Sequence, residues 1–410
     1  MYPSSDYTLQ KLQDSYYLLP LGQGIATFHR QLKINESSAD LYVLICQICN
    51  SLGDISRDEL LEILITHTMK LHEVPDEEHD SVAEDIDEFL TYLTGYGVLI
   101  GSAGNDALPF ISQALISNIL LKFYGNSDCI SNELKDFYVE EVTEHYAKDH
   151  TLSVYFHTDM LQNNEKKILL IHTSELIIYR SEYYYILEYP GSTGIRNIHL
   201  SLDGLRADFY ITGEVDDKLR YDIFHAIRLV LSYQLQNHNQ FLIHSASILY
   251  QGRVWLFSGP SGTGKSTHTA LWNKLYDTPV INGDLNLITL CEMQQMDQPM
   301  TYGIPWCGTS EIYSKEKYPL GGIIFLHQDD HNVCESKKED EKQLSVLQRL
   351  ISPFWTVDQM EKNLAFTDAL IKRIPIWHLR CTKDDDAAIC MKEVIDNYLK
   401  KNNESIQMEY

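Results

Sequence analysis

The chain has 410 residues, 44% of them hydrophobic, and this composition is typical of a globular protein with about two or three domains. Its 58 acidic residues outnumber its 33 basic ones, and the formal net charge of -25 argues against nucleic acid or an anionic membrane as a general partner. A local positive pocket for a nucleotide is still compatible with that overall charge.

The N-terminus and the cysteines bear on the cellular compartment. MYPSSDYTLQKLQ lacks the basic segment and the apolar stretch of a secretory signal, and the eight scattered cysteines fit a reduced, cytoplasmic setting. Cys46 and Cys49 form a C-x-x-C pair inside the apolar run LYVLICQICNSL, with no second pair at zinc spacing. We interpret them as packing residues of a buried helix, and metal binding or redox chemistry is the alternative.

Residues 1–100 predict a compact unit of two strands followed by three helices. Loose alternation of apolar residues favours strands at 7–19 and 26–35. Helical spacing and capping residues predict helices at 37–52, from Ser56 onward with Glu59 completing a capping box, and at 82–96.

The centre of the chain predicts a linker and then a β-rich region. Residues 101–109, GSAGNDALP, are typical of a linker. The apolar stretch 108–125, LPFISQALISNILLKFYG, is too interrupted by polar residues for a membrane span and predicts an amphipathic helix, so that 101–130 is expected to be a helical linker. Within 131–240, residues 152–211 favour several antiparallel strands, and 216–235 has helical spacing.

The segment 256–272, LFSGPSGTGKSTHTALW, contains the pattern G-x-x-x-x-G-K-[ST]. The strand-like run RVWLF precedes it and helical spacing follows it, which is the context that this motif requires. Its glycines allow backbone N–H groups to face phosphate oxygens at a helix N-terminus, Lys265 can reach the β- and γ-phosphates, and the Ser266 hydroxyl can ligate Mg²⁺. The predicted nucleotide-binding residues are Gly259, Pro260, Ser261, Gly262, Thr263, Gly264, Lys265, Ser266 and Thr267.

Two further side chains are candidates for catalysis. Asp284 follows Ser266 by 18 positions, after one helix and the short strand PVIN. A carboxylate there can hold Mg²⁺ with Ser266 or accept a proton from an attacking hydroxyl, and a turn aspartate is the alternative. His244 lies on a predicted strand whose hairpin turns at Gln251 and Gly252. Judged alone, a histidine on a strand is more often structural.

The segments around the glycine-rich loop and Asp284 resemble those of a known protein family. HSASILYQGRVWLFSGPSGTGKSTHTALW, followed by INGDLNLI, resembles the kinase core of HPr kinase/phosphorylase, whose nucleotide fold is akin to that of phosphoenolpyruvate carboxykinase. The resemblance covers roughly residues 241–395. It implies ATP, Mg²⁺ and transfer to a protein serine, with His244, Lys265 and Ser266 matching family residues and Asp284 matching the second aspartate of an Asp-Asp pair.

The sequence also departs from that family. Gly283 stands where the family has its first aspartate, and the P-G-R-N-like run associated with the reverse phosphorylase activity is absent, so only the kinase reaction is carried over. GIPWCGTS, at 303–310, corresponds to a segment that borders the active site in related serine kinases. Thr309 and Ser310 could contact phosphate there, and the alternative is a rigid turn with Trp306 buried.

The N-terminal unit resembles PqqD-like domains, which are winged-helix modules that bind leader peptides of ribosomally made, modified peptides. LKINESSADLYVLI, SRDELLEIL and EDIDEFLTYLTGYGVLI follow the family's order. The resemblance implies a groove between residues 26–34 and the helix at 82–96, in which a leader peptide adds a strand. A winged-helix scaffold or dimerisation module is the alternative, and DNA binding is disfavoured because the unit is acidic.

These observations combine into one prediction of fold. An α/β kinase core of the HPr kinase/phosphoenolpyruvate carboxykinase type with a P-loop is expected at 241–400. It is accompanied by a winged-helix PqqD-like domain at 1–100, the helical linker at 101–130 and the β-rich middle region with a helix at 131–240.

The predicted function is an ATP-dependent serine kinase, with threonine as a second acceptor and GTP as an alternative nucleotide. Its catalytic residues are Asp284, His244 and Lys265, its metal ligands Ser266 and Asp284, and its substrate a precursor peptide held by its leader. The open alternatives are a regulatory kinase of a folded carrier protein and a nucleotide-dependent peptide-binding module without phosphotransfer. Homo-oligomerisation is left open, and no nucleic acid or membrane partner is expected.

Overall fold

The computed structural model describes residues 1–4, 7–21, 31–52, 55–75, 78–100, 108–140, 150–158, 167–181, 184–192, 194–290 and 298–408. These residues form a mixed α/β protein with sheets of two, three, eight and nine strands. Within these ranges, none of the helices combines the length and the apolar character that crossing a bilayer requires.

The N-terminal unit has its own hydrophobic core, because all the buried residues of this cluster lie between Met1 and Leu99. Three strands form an antiparallel sheet and two more pair with each other. The elements are β1 (Tyr2–Pro3), β2 (Tyr7–Leu12), β3 (Ser15–Pro20), β4 (Leu32–Ile34), α1 (Glu36–Leu52), α2 (Arg57–Leu71), α3 (His79–Gly95) and β5 (Leu99–Ile100).

The three helices predicted for this unit are confirmed. The Ser56 hydroxyl accepts a hydrogen bond from the Glu59 N–H at 3.1 Å, as the predicted helix start requires. The single strand predicted at 7–19 is wrong, because Gln13 adopts a left-handed φ of 55° and turns the chain into the hairpin of β2 and β3. Of the strand predicted at 26–35, β4 lies in the described part, and residues 26–30 lie outside the described residues.

Cys46 and Cys49 lie on α1, where Cys49 is fully buried in the core of the unit. Its thiol donates a weak hydrogen bond to the carbonyl of Met1 at 3.4 Å. Burial also raises the pKa of the Cys46 thiol, which makes it a poor nucleophile or metal ligand. The seven cysteines within the described ranges are free thiols. These observations favour packing over metal or redox chemistry for the pair.

The middle region is an eight-stranded sheet with the strand order β6-β7-β8-β13-β12-β11-β10-β9. The antiparallel pairing predicted for this region is confirmed from β9 to β13, whereas β8 runs parallel to both of its neighbours. The elements are β6 (Phe110–Ile116), β7 (Ile119–Tyr124), α4 (Asn132–Lys135), β8 (Thr151–His157), β9 (Ile168–His172), β10 (Ile177–Arg180), β11 (Tyr184–Glu188), β12 (Ile195–Ser201), β13 (Arg206–Ile211) and α5 (Asp217–Asn237).

The helix predicted at 108–125 is wrong, and with it the helical linker predicted at 101–130 as far as the structure describes it; residues 101–107 lie outside the described residues. Residues 110–124 form the hairpin of β6 and β7, which is part of the eight-stranded sheet. Ser117 has a φ of 57° and starts a two-residue turn with Asn118, so these two polar residues connect two strands and do not lie on a helix face. Pairing of β7 with β8 buries the apolar side chains of both.

The C-terminal region is built around the nine-stranded sheet. Strands β14, β15, β17, β18 and β19 pair in a closed ring, because β15 pairs with both β14 and β19. The elements are β14 (Gln240–Tyr250), β15 (Arg253–Ser258), α6 (Lys265–Tyr276), β16 (Val280–Asn282), β17 (Leu285–Thr289), β18 (Met300–Tyr302), β19 (Lys317–Gln328), β20 (Val333–Glu335), α7 (Glu339–Leu347), β21 (Leu350–Ile351), α8 (Val357–Ile371), β22 (Ile376–Cys381) and α9 (Asp385–Met408).

The middle and C-terminal regions share one hydrophobic core. The largest buried cluster contains side chains of the eight-stranded sheet and α5 together with Leu242, Leu285 and Trp306 of the C-terminal region. The indole N–H of Trp306 donates to the carbonyl of Phe224 on α5 at 3.1 Å, and their rings stack with centroids 5.0 Å apart. These contacts therefore hold α5, the helix of the middle region, against the C-terminal region.

A buried ion cluster stabilises the middle sheet. The carboxylate of Asp208 accepts two hydrogen bonds from the Arg206 guanidinium and lies within hydrogen-bond distance of the His157 ring, each at 2.7 Å. Burial alone would raise the pKa of Asp208, but the charge of Arg206 and the hydrogen bonds from His157 and Arg206 outweigh burial and hold that pKa well below its ordinary value.

Replacing Asp208 by alanine is expected to lower the free energy of unfolding by about 3–5 kcal/mol, because it removes the carboxylate that accepts two hydrogen bonds from the buried Arg206 guanidinium. The matched control is Asp217→Ala, which removes the exposed pair with Arg220 and should cost about 1 kcal/mol or less. Since the folded-state pKa of Asp208 is depressed, its contribution is present at neutral pH and is lost as the pH falls below about 4. Urea unfolding at several pH values measures both effects, and equal losses in the two variants would contradict the prediction.

Candidate functional site

The predicted order of strand, glycine-rich loop and helix is present at residues 253–276. Strand β15 ends at Ser258, and α6 begins at Lys265, as expected from the sequence. Gly259 adopts a φ of 149°, and a Cβ atom there would lie 2.8 Å from Thr263 Oγ1 and 3.1 Å from the Leu326 carbonyl oxygen. Only glycine fits this position without strain or movement of its neighbours.

The side chains of the loop hold its shape from within. Lys265 Nζ donates to the carbonyls of Gly259 at 3.2 Å and Pro260 at 3.3 Å, so the ammonium lies directly over the loop. Thr263 Oγ1 donates to the Pro260 carbonyl at 2.8 Å, and the Gln328 side chain donates to the Gly262 carbonyl at 2.9 Å. The loop carbonyls are thus engaged by side chains, and the N–H groups at the start of α6 have no partner within that helix.

A cavity of about 450 Å³ adjoins the loop, which is within the size range of small-ligand sites. It lies at the end of β19, beside His378 of β22 and Ser345 of α7. Its lining consists of Gly259, Pro260, Ser261, Gly262, Thr263, Phe325, Leu326, His327, Gln328, Ser345, Gln348, Arg349 and His378. The cavity therefore combines loop backbone, aromatic rings and one cation, which are the components that suit a nucleotide.

The strand ladder brings His244 and Asp284 together. Strands β14 and β15 form the predicted hairpin, and Gln251 and Gly252 turn it with φ values of 53° and 68°. Pairing of β14 with β17 places His244 opposite Leu285, and His244 Nδ1 lies 3.5 Å from Asp284 Oδ1. Both side chains remain about one-third exposed, at 30% and 34%, so a substrate can reach them.

Backbone contacts fix this pair. The Ser245 N–H donates to the Asp284 carbonyl at 2.8 Å, and the Asp284 N–H donates to Asn282 Oδ1 at 2.9 Å. On the other side, the His244 N–H donates to the Arg349 carbonyl at 2.9 Å. The pair therefore sits on a rigid strand framework.

Positive charges surround this carboxylate in a chain that is acidic as a whole. Burial lowers the pKa of His244; the charges of Lys265, Arg349 and Arg228 lower it further, and Asp284 opposes them, so the imidazole is neutral at pH 7. Burial likewise lowers the pKa of Lys265, with Asp284 opposing the shift. Lys265, Arg349 and Arg228 are thus near enough to His244 to influence its pKa.

Three residues of the site were not predicted from the sequence. Arg228 and His225 lie on α5, in the middle region, and Arg349 lies between α7 and β21. Burial lowers the pKa of Arg228, and the charge of Asp284 opposes that shift, which shows that the two groups are near each other. No motif marks these residues in the sequence, and packing of α5 against the C-terminal sheet is what brings Arg228 to Asp284.

The segment 303–310 covers Asp284. Gly308 has a φ of 64°, and a Cβ atom there would lie 2.9 Å from the Cβ of Asp284. Trp306 is buried, as the interpretation of this segment as a turn with a buried tryptophan requires. The Ser310 hydroxyl donates to the Cys307 carbonyl at 2.7 Å, and the proposed phosphate contacts of Thr309 and Ser310 stay a prediction.

The same segment explains why Gly283 has no acidic side chain. A Cβ atom on Gly283 would lie 1.9 Å from Ser310 Oγ and 3.2 Å from the Cys307 carbonyl oxygen. An aspartate at this position would therefore require the segment 303–310 to move. The site has one carboxylate, Asp284, where the family that the sequence resembles has two.

The chemistry of Ser266 and Asp284 is compatible with Mg²⁺. The Ser266 hydroxyl is exposed and makes no hydrogen bond with the described residues, and the Asp284 carboxylate accepts none from them either. Hydroxyl and carboxylate oxygens are the ligand types that Mg²⁺ takes in proteins together with phosphate oxygens and water. Both side chains thus have oxygens available for a hard cation.

The site therefore contains a glycine-rich loop, a lysine, a neutral histidine and one carboxylate. No model of a known protein family matches the chain, and a comparison with the curated proteins finds no similar sequence.

Proposed function

We propose that this chain is an ATP-dependent kinase that phosphorylates a serine, with threonine as a second acceptor, on a ribosomally made precursor peptide. The observation that carries the proposal is the His244–Asp284 pair, with its 3.5 Å separation, close enough to Lys265 for the Asp284 charge to act on that lysine. Phosphoryl transfer needs a group that orients the acceptor hydroxyl beside a phosphate held by a cationic loop. A kinase core of the HPr kinase/phosphoenolpyruvate carboxykinase type is the fold that we propose for this region.

In the proposed reaction, the loop N–H groups and Lys265 bind the triphosphate and offset its negative charge. The acceptor oxygen forms a bond to the γ-phosphorus, the bond from that phosphorus to the β,γ-bridging oxygen breaks, and ADP leaves. The hydroxyl proton passes to the Asp284 carboxylate. The neutral His244 ring lies 3.5 Å from Asp284 Oδ1 on the neighbouring strand and leaves that carboxylate free to accept the proton.

Mg²⁺ would be held by Ser266 and Asp284, and it would supply charge neutralisation between the β- and γ-phosphates. Its removal by a chelator is expected to stop transfer. GTP is the alternative donor, because no residue of the cavity identifies the base.

The N-terminal unit is proposed to hold the leader of the precursor peptide in the manner of a winged-helix PqqD-like domain. Strand β4 is an edge strand of its antiparallel sheet and directly precedes α1 in the chain. The strands and the three helices share one hydrophobic core. A leader bound there would raise the effective concentration of the acceptor at the kinase site.

The experiment uses the full chain, ATP with Mg²⁺, and any precursor peptides encoded beside this gene, each with and without its leader. We expect phosphoserine in the leader-bearing peptide and a higher KM for the leaderless form. Equal KM values would refute the role of the N-terminal unit and favour a kinase of a folded carrier protein. Tight ATP binding without any phosphopeptide would refute the kinase and favour a nucleotide-dependent binding module.

Gly308 supplies a prediction about how the site is positioned. Gly308→Ala is expected to reduce the transfer rate by about tenfold or more, because the added methyl group pushes against Asp284, and displacing a catalytic group by about 1 Å can cost up to 100-fold. ATP affinity should change little, since the loop at 259–264 is not touched. Steady-state rates and calorimetric ATP binding measure the two quantities.

The matched control is Gly252→Ala. Gly252 has a φ of 68°, close to the 64° of Gly308, but a Cβ atom there meets nothing within 4 Å. Both variants therefore carry the same backbone strain, and only one of them disturbs Asp284. Equal loss of activity in the two variants would show that strain, and not the position of Asp284, explains the effect.

A further inference from the structure

The cavity beside the glycine-rich loop lies at the carboxyl end of parallel strands. Strand β19 pairs in parallel with β15 on one side and with β22 on the other. The loop follows β15 directly, and the cavity lining includes the last four residues of β19, 325–328. Folds with parallel strands bind their ligands at this end of the sheet, so the cavity is placed to hold more of a ligand than its phosphates.

The loop and the end of β19 are in direct contact. The Gln328 side chain donates to the Gly262 carbonyl at 2.9 Å. The Leu326 carbonyl oxygen would lie 3.1 Å from a Cβ atom on Gly259. His327 lies between these two residues of β19, and its side chain, on the other face of the strand, is exposed and lines the cavity. A molecule whose phosphates bind at the loop can therefore extend across the strand end to His327.

A chain of hydrogen bonds fixes the proton position on His378, which also lines the cavity. The Ser345 hydroxyl of α7 donates to the Glu341 carbonyl at 2.8 Å, so its oxygen is left to accept from His378 Nε2, 3.3 Å away. Burial lowers the pKa of His378 to about 4, so the neutral ring has a single N–H, and that N–H is at Nε2. His378 Nδ1 is consequently an acceptor.

The same chain fixes the proton on His327. His327 Nε2 lies 2.9 Å from His378 Nδ1 and must donate to it. Burial and the charge of Lys337 lower the pKa of His327 against the opposing charge of Glu335, so this ring is neutral at pH 7 and its Nδ1 has no proton. That Nδ1 makes no hydrogen bond with the described residues. The cavity thus offers an oriented acceptor on an exposed ring.

Three rings form a row along this wall of the cavity. The His378 ring stacks on Phe325 and on His327, with centroids 5.2 Å apart in each pair and interplanar angles of 25° and 16°. Phe325 and His378 are buried, so His327 is the ring of the row that a ligand can contact. A planar base has a face that packs on aromatic rings and N–H donors at its edge.

We propose that this cavity binds the base of the nucleotide and that His327 Nδ1 accepts a hydrogen bond from an amino group of that base. The inference rests on the proposed function and names the residue that recognises the base of the phosphoryl donor. Phosphate and carboxylate groups do not suit this position, because they offer acceptors only. Adenine and guanine both have an amino group, so His327 favours amino-bearing bases without choosing between ATP and GTP. His378 and Ser345 are positioning residues.

The test measures binding of nucleoside diphosphates to the full chain with Mg²⁺ and without peptide, so that no transfer takes place. The probes are ADP and purine riboside 5′-diphosphate, which lacks only the 6-amino group. The wild-type chain is expected to bind ADP about tenfold more tightly, the size of one good hydrogen bond. His327→Phe keeps a ring without an acceptor and should bind the two diphosphates equally, near the wild-type affinity for purine riboside diphosphate.

Three further variants guard against a general disturbance of the cavity. His327→Gln restores an acceptor oxygen and should recover part of the preference for ADP. Ser345→Ala removes the acceptor that fixes the His378 proton, and it should reduce the preference a few-fold while binding of purine riboside diphosphate stays at the wild-type level. His331→Phe changes an exposed histidine that does not line the cavity, and it should keep the full preference.

Equal affinity of the wild-type chain for the two diphosphates would overturn the base site, as would an undiminished preference for ADP in His327→Phe. Transfer from ATP to peptides is measured separately, which keeps the two proposals distinguishable. A preference for ADP that depends on His327, without transfer, would support the base site and refute the kinase. Transfer without such a preference would support the kinase and overturn the base site.

Discussion

Lys265→Ala is expected to reduce phosphoryl transfer by about 100- to 1,000-fold, which is the usual cost of removing one group that stabilises charge in a transition state. The reason is geometric, because Lys265 Nζ lies over the loop, at 3.2 Å from the Gly259 carbonyl, and can turn to the β- and γ-phosphates. ATP affinity should fall as well, by about tenfold, as one charge-assisted contact is lost. Phosphopeptide formation and calorimetric ATP titration measure these two effects.

Lys274→Ala is the matched control, since Lys274 lies on the same helix, α6, and is 64% exposed. Its ammonium pairs with Asp385 at 2.9 Å, away from the loop. Transfer and ATP affinity should both stay at the wild-type level in this variant. Normal turnover in Lys265→Ala would contradict the assignment of the loop to phosphate binding.

Asp284→Asn is expected to slow transfer by about 10²- to 10⁴-fold, which is the range for loss of a general base. The amide keeps the size of the side chain but cannot take up the proton of the acceptor hydroxyl. ATP should still bind, because the loop and Lys265 are intact and the repulsion between a carboxylate and the phosphates is removed. A single-turnover measurement with preformed ATP complex separates the chemical step from binding.

Asp277→Asn provides the control for this variant. Asp277 is exposed at the end of α6 and has a left-handed φ of 53°, a conformation that asparagine tolerates well. The substitution therefore makes the same change of chemistry without touching the site. If Asp284→Asn kept near-normal turnover while ATP binding was intact, Asp284 could not be the proton acceptor.

The local parts of the site could be predicted from the sequence. The strand at 253–258, the loop and the helix from Lys265 to Tyr276 follow from a motif whose residues are neighbours in the chain, and glycine geometry dictates the turn. Asp284 could also be predicted as a site residue from the sequence, because only one helix and one short strand separate it from the loop. His244 became a candidate through its position in a resemblance, since a histidine on a strand has no signature of its own.

The remaining parts depend on long-range packing. Arg228 comes close enough to Asp284 for the carboxylate to influence its pKa because α5 packs against the C-terminal region, where the Trp306 N–H donates a hydrogen bond to the Phe224 carbonyl. No periodicity in the sequence predicts that contact. The hairpin at 110–124 was missed for a related reason. Short apolar runs fit a helix or a strand equally well by periodicity, and pairing with β8 decided between them.

The most direct test of the kinase proposal is mass-spectrometric mapping of phosphorylation in peptides incubated with the full chain, ATP and Mg²⁺. The peptides are any precursors encoded beside this gene, and Asp284→Asn is run in parallel. We predict one phosphoryl group on a serine or threonine with the wild-type chain and almost none with Asp284→Asn. Binding of ATP without phosphoserine or phosphothreonine in any of these peptides would contradict it.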